Sequence, residues 1–229
     1  MMKLIISCEH ATNLIPQEYQ HLFSNAENTL ESHRGYDPGT LDLFFHLEKL
    51  ADFSRFYEWS RLLVEPNRSL HHKNLFSKYT KGSSQKVKNQ LIQEYYLPYR
   101  NQIERNILES IEKGEKLLHL SLHSFTPELD GEIRNTEIGL LFDSTNEREK
   151  LFCIGFKSAI NQQYPNLRIR FNYPYLGKAD GFTTYLRRKF PENYLGIELE
   201  VNQIFSNQNK MNFEIKEAIY QALEKILKN

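Results

Sequence analysis

KLLHLSLHSFTP, residues 116–127, is the stretch whose reading decides the fold. Its apolar and polar residues alternate with a period of two. That period puts His119, Ser121 and His123 on one face of a strand and Leu118, Leu120 and Leu122 on the other. A strand with leucines behind it is a core strand, and its backbone holds the histidines in place. The residues that follow, SFTPELDG, carry the breakers Pro127 and Gly131 and read as a loop. Ligands in α/β proteins bind outside the carboxyl ends of the strands, which is where His123 falls. Taken alone, His123 is equally a core histidine with satisfied hydrogen bonds.

Working outward, the composition fits a soluble α/β protein with a sizeable core. The chain has 229 residues, and 13% of them are aromatic. Lys plus Arg equals Asp plus Glu at 29 each, which argues against nucleic-acid binding through general phosphate attraction. A local cationic pocket stays compatible with that balance. Cys8 and Cys153 are the two cysteines; they make no disulfide framework and suit a reducing cytoplasm. The opening MMKLIISC is too short for a signal-peptide core, and no apolar run reaches the ~18 residues of a membrane span.

Polar clusters recur at apolar strand ends. KLIISC (3–8) predicts a first strand, and Glu9, His10 and Asn13 lie on the turn after it. His10 reads either as a ligand or as a turn residue bonded to the backbone. In ESHRGYDPGT (31–40), Asp37 before Pro38 predicts an N-cap with a helix through LDLFFHLEKLAD. The same Asp37 also reads as a carboxylate aimed at a metal, with His33 and Arg34 near the same pocket. SRFYEWSRLLVE (54–65) predicts one or two strands that end in Asn67 and Arg68. An Arg fork with a neighbouring amide binds carboxylates well, and Arg61 is a second candidate for that role. A long amphipathic helix is expected over 86–113, broken or kinked at Pro98. Further strands are expected at 138–143, 167–172 and 193–203, with helices at 147–163, 182–189 and 211–228. Glu198 and Glu200 stand two apart on the last strand, so they share a face. Carboxylates in so apolar a strand need partners.

His10, His123 and the glutamate pair thus sit at strand ends, with Asp37 opening a nearby helix. Two histidines, one carboxylate and an open position make a catalytic zinc site, and a further carboxylate can serve as general base. The expected fold is α/β, with a mixed central sheet flanked by helices.

The motifs SCEHATNLIP, SHRGYDPG, SRLLVEPNRS, LSLHSFTP, RNTEIGLLFD, PYLGKADGFT and GIELEVNQ together resemble the N-formylglutamate amidohydrolase family. More narrowly, they resemble its branch of predicted amidohydrolases. The likeness runs in order from residue 4 to about 203 and implies a single domain over 1–229. It implies a zinc-dependent hydrolase with a zinc-carboxypeptidase or phosphorylase/hydrolase-like fold. It also implies the order metal histidine His10, clamp Asn67–Arg68, metal histidine His123, catalytic Glu198 or Glu200. Glu200 is preferred because it lies closer to the strand's carboxyl end. Arg61, Arg134 and Tyr175 join the substrate-binding candidates.

The sequence departs from the pattern at three points. Zinc carboxypeptidases have a Glu three residues after the first histidine, where this chain has Asn13. The carboxylate ligand must then come from elsewhere; Asp37 is favoured, with Glu9 as the alternative. Ser121 stands where some relatives have Asp, and Glu65 where relatives often have Asp. The leading expectation is a zinc amidohydrolase acting on a small acidic N-acylamino acid such as N-formylglutamate. Its rivals are a peptide or cell-wall amide hydrolase, favoured by a wide cleft, and a non-catalytic binding protein on the same fold.

Overall fold

The leucine and histidine faces of 116–127 become the two faces of the central strand in a computed structural model that describes residues 2–228. In chain order the elements are β1 (Lys3–Cys8), α1 (Glu27–Leu30), α2 (Thr40–Leu47), β2 (Phe53–Phe56), α3 (Gln85–Leu91) and α4 (Leu97–Glu112). Then come β3 (Leu117–Phe125), the short β4 (Glu128–Leu129) and β5 (Glu132–Ile133), β6 (Ile138–Leu141) and α5 (Glu147–Gln163). β7 (Ile169–Phe171), α6 (Phe182–Lys189), β8 (Tyr194–Asn202) and α7 (Phe213–Lys228) follow. Six strands form one mixed sheet in the order β2-β1-β3-β8-β6-β7. β2, β1, β3 and β8 are parallel, and β6 pairs antiparallel with β8. The carboxyl ends of β1, β3 and β8 therefore lie side by side.

Each face of the sheet is covered by its own apolar cluster. Leu118, Leu120 and Leu122 pack with Phe44 of α2, Phe156 of α5 and Ile219 of α7. On the opposite face, Leu117 and Ile5 pack with Ile103 and Ile107 of α4 and with Phe182 of α6. Burial on both faces explains why these strands are so apolar. The histidine face is the exception, and it turns polar as β3 approaches its carboxyl end.

Three local expectations need correction. Of the 54–65 segment only residues 54–56 pair as a strand, as part of β2 against β1. Residues 61–64 form turns instead, and Leu63 and Val64 are buried in the second cluster. Their apolar character reflects that burial rather than a β ladder. Asp37 does not cap α2; the residue before Thr40 is Gly39, in the left-handed region at φ 82. Pro38 and Asp37 lie on the loop before it, where the Asp37 carboxylate is free for other partners. Pro98 does not break the long helix. A π turn over Ile92–Tyr96 precedes it, with the Leu97 N–H bonded to the Ile92 carbonyl five residues back. That wider turn makes room for a ring with no N–H to give. Among the described residues, no helix is long and apolar enough to cross a membrane.

His119 shows how the polar face is kept satisfied. It is fully buried, with Nδ1 2.8 Å from the Tyr194 hydroxyl and Nε2 2.8 Å from Ser7 Oγ. Burial pulls its pKa down to about 4; Glu9 opposes the shift, and Arg187 and His123 add to it. The native state therefore keeps this ring neutral in a range where the unfolded chain protonates it. Between pH 6.5 and 4 the unfolded state binds more protons, so stability falls as the pH drops. The contribution of His119 to that fall is about 3 kcal/mol. His119→Gln cannot titrate, so its stability deficit relative to the native protein shrinks by that amount between pH 7 and pH 4. Urea unfolding at the two pH values measures it, and an unchanged deficit refutes the assignment.

Candidate metal centre and active site

The residues of the centre come from three places that the sheet brings together. His10 lies on the turn that leaves β1, and His123 stands near the end of the neighbouring β3. The loop before α2 is drawn in by a backbone bond, from Asp37 N–H to the His10 carbonyl at 2.9 Å. The His10 and His123 rings meet edge to face with centroids 4.9 Å apart. One ligand atom each from His10, Asp37 and His123 lies within 4.8 Å of the others, and all three residues are buried.

Both histidines turn the same atom inward. Nδ1 of His10 lies 3.3 Å and Nδ1 of His123 3.1 Å from Asp37 Oδ2. Each outer nitrogen faces its own buried glutamate. His10 Nε2 is 2.6 Å from Glu65 Oε1, and His123 Nε2 is 3.2 Å from Glu9 Oε2. Ser121 Oγ donates to the same Glu9 oxygen at 2.5 Å, and Tyr99 OH donates to Oε1 at 2.9 Å. A carboxylate on Nε2 keeps the proton there, so a neutral ring presents its Nδ1 lone pair toward Asp37. Of the two carboxylates weighed from the sequence, Asp37 joins both histidines and Glu9 lies behind His123.

Electrostatics follow from this packing. Burial alone would raise the pKa of Glu9, but its bonds to His123 and Ser121 outweigh it and hold the carboxyl well below its ordinary range. Burial is likewise overcome at Asp37 by the two histidines, and at Glu65 by Arg61 and His10. His123 is pushed well above its ordinary value, against burial, by Asp37 and Glu9. Such a cluster of ionised carboxylates around paired imidazoles suits a divalent cation. Two imidazole nitrogens and one carboxylate oxygen are donors that zinc accepts.

Register sets the next neighbour. His123 of β3 pairs with Glu200 of β8, and Ser121 pairs with Glu198. Glu200 is therefore beside the second histidine, on the same face. It is buried, and its Oε2 has no hydrogen-bond partner among the described residues. Burial pushes its pKa up to about 8; His123 opposes this, and Asp37 and Glu198 add to it. Glu198 is half-buried, and its Oε1 accepts from Thr183 Oγ1 at 2.5 Å.

A cleft of about 570 Å³ opens over these groups. It is lined by His10, Asp37, His123, Glu198 and Glu200, and also by Arg61, Asn67, Arg68 and Tyr175. Asn67 Oδ1 accepts from Phe182 N–H at 2.7 Å, while its Nδ2 makes no hydrogen bond among the described residues. Arg68 Nη1 donates to the Asp180 carbonyl. Arg61 is committed to acids: its Nε and Nη2 reach Glu65 Oε2 at 2.8 and 2.7 Å, and Nη1 reaches Asp37 Oδ1 at 3.5 Å. Arg134 is not among the lining groups. It touches the cleft wall through Tyr175 OH at 3.3 Å and Thr126 Oγ1 at 3.5 Å.

Sequence reasoning missed the role of Glu65, which holds both His10 and Arg61. The four-residue spacing from Arg61 was the available signal, and reading that segment as a strand concealed it. Asp180, whose backbone oxygen takes Arg68, was legible only as part of the PYLGKADGFT motif, with no role of its own.

No curated protein matches the sequence. Among solved structures, a gene product of Agrobacterium tumefaciens is similar at 23% identity and a TM-score of 0.78, covering 99% of this chain and 92% of that one. An N-formylglutamate amidohydrolase from Ralstonia eutropha JMP134 is similar at 12% identity and a TM-score of 0.70, covering 99% and 93%. At those identities the likeness shows a shared fold. The sequence itself matches the family described as N-formylglutamate amidohydrolase over residues 2–205, nearly the whole chain. The chain belongs to the N-formylglutamate amidohydrolase family, hydrolases of amide bonds.

Proposed function

We propose that this protein is a zinc-dependent amidohydrolase that cleaves the N-acyl amide of an acidic amino acid, with N-formylglutamate as the reference substrate. One observation carries the reading. Two buried imidazoles turn Nδ1 to a shared carboxylate, beside a glutamate oxygen with no partner. A carboxylate oxygen without a partner beside the two imidazoles suits a group that takes up a proton, which supports hydrolysis over the binding-only alternative.

His10, Asp37 and His123 would hold the ion. When bound, such an ion acts as a Lewis acid toward the amide carbonyl and makes water more acidic. The rest of the work falls to the chain. Glu200 takes the proton of the attacking water and delivers it to the departing nitrogen. A base whose pKa lies near the working pH does this well. Asn67 Nδ2 and the remaining N–H groups of Arg68 hold the substrate carboxylate, which fixes the amide over the centre. Arg61 is better assigned to holding Asp37 and Glu65 than to the substrate. Glu9 and Glu65 orient the two histidines from behind.

Purified protein should release glutamate and formate from N-formyl-L-glutamate. It should lose that activity to a chelator, regain it with zinc, and carry about one ion per chain by elemental analysis. Equal rates with and without the chelator would remove the metal from the mechanism.

A further inference from the structure

We propose that Arg100, in the first turn of α4, is a positioning residue that sets Arg68 for the substrate carboxylate, with Tyr96 as its partner. Arg100 works from behind the cleft wall, through the backbone of residues 66–68. This deepens the amidohydrolase reading and rests on its assignment of Asn67 and Arg68 to the substrate.

Arg100 is a buried cation that pairs with no acid among the described residues. It is 5% exposed, and its side-chain hydrogen bonds go to backbone carbonyls. Nη1 donates to the Pro66 carbonyl at 2.9 Å and to the Arg68 carbonyl at 3.4 Å. Aromatic faces pack on it as well. The guanidinium carbon lies 4.1 Å from the Phe182 ring centroid, 4.7 Å from that of Tyr185 and 4.9 Å from that of Tyr96. Burying a cation without a carboxylate is costly, and an apolar side chain would pack against the same rings. Donation to the two carbonyls is what the guanidinium adds.

The residues that Arg100 touches are those that fix Asn67 and Arg68. Tyr96 stands four residues before it, so the two side chains share a helix face. Tyr96 OH donates to the same Arg68 carbonyl at 2.6 Å. Tyr96 also closes the π turn, and such turns are frequent at functional sites. Phe182, the nearest of the three rings, gives its N–H to Asn67 Oδ1 at 2.7 Å. On the same helical turn, Tyr99 OH donates to Glu9, which stands behind His123. One turn of helix thus braces the metal centre and the substrate-binding pair together. Asn67 and Arg68 line the cleft and Arg100 does not, so Arg100 acts through them and never meets the substrate.

The test is a cycle of Arg100→Met, Arg68→Gln and the double variant, read as KM and kcat on N-formyl-L-glutamate and as its dissociation constant by calorimetry. Each single substitution should raise KM and the dissociation constant by at least about tenfold, the worth of one hydrogen bond to a charged group. The loss should fall mainly on KM. In the Arg68→Gln background, Arg100→Met should add no more than about twofold, since the residue it works through is gone. Tyr96→Phe guards against a variant that fails to fold. It removes one hydroxyl and should raise KM by about two- to tenfold, again only while Arg68 is present. Losses that multiply in the double variants, or that fall on kcat with KM unchanged, show a merely structural residue and overturn the proposal. Binding separates this idea from the reading beneath it. If the native protein binds N-formyl-L-glutamate without hydrolysing it, the amidohydrolase reading fails, and the same cycle on the dissociation constant still decides the role of Arg100. If it neither binds nor hydrolyses the compound, the assignment of Arg68 fails and this proposal falls with it.

Discussion

Glu200→Gln should lower turnover of an N-acylamino acid by about a hundred- to ten-thousandfold, the range for losing a general acid–base group. Metal content and fold should be unchanged. The substitution is isosteric and leaves His10, Asp37 and His123 in place. Glutamine cannot accept a proton, and acceptance is the role assigned to Glu200. The parallel register of β3 and β8 sets this residue against His123, with one oxygen unpartnered. Glu198→Gln is the control, because it stands two residues earlier, with one oxygen engaged by the Thr183 hydroxyl. Its loss should be the smaller of the two in kcat. Steady-state kinetics on both variants, with zinc measured on the same samples, decides the matter. If Glu198→Gln is the more damaging, the base has been assigned to the wrong carboxylate.

The pair of glutamates was legible from spacing, but the choice between them was not. Alternation alone put both on one face, and only the register shows which of them meets His123. The same division runs through the fold. α5 and α6 occupy Glu147–Gln163 and Phe182–Lys189, as their periodicity and flanking residues indicate; the Asn146 side chain caps α5. These signals are local, so a single sequence carries them. The failures came where tertiary burial imitates a local pattern. Leu63 and Val64 look like strand residues because they are buried, yet they sit in turns. That misreading also hid Glu65, whose partners His10 and Arg61 become visible only once the segment turns back toward β1. Asp37 looked like a cap because it precedes Pro38, whereas Gly39 takes the backbone bend and frees the carboxylate. The meeting of residues 10, 37 and 123 follows from β1 and β3 being neighbours, and spacing along the chain does not encode that adjacency.

Arg187→Met should destabilise the protein by about 3–5 kcal/mol, the cost of leaving one member of a buried ion pair alone. Arg187 uses its whole fork. Nε lies 2.9 and 3.1 Å from the Glu149 oxygens, and Nη1 donates to the Gly177 carbonyl at 2.6 Å and to Thr184 Oγ1 at 3.1 Å. Nη2 donates to the Gly196 carbonyl at 2.6 Å. Glu149 is fully buried and also accepts from the Gly196 and Asp143 N–H groups at 2.9 and 2.8 Å. One guanidinium thus ties α5, α6 and β8 to the loop that carries Tyr175 and Asp180 along the cleft. Methionine fills similar space but leaves a buried carboxylate and two carbonyls without their donor. Glu149→Gln removes the stranded charge, and its amide oxygen keeps one of the two backbone N–H bonds, while the other N–H, which bonds the second carboxylate oxygen, loses its acceptor. Adding it to Arg187→Met should therefore restore part of the lost stability, because removing the buried charge outweighs the one N–H left without an acceptor. Urea unfolding of the two single variants and the double variant closes the cycle. A double variant less stable than Arg187→Met alone would show that Glu149 matters chiefly for its backbone bonds. The loop over the cleft would then be anchored by something other than this ion pair.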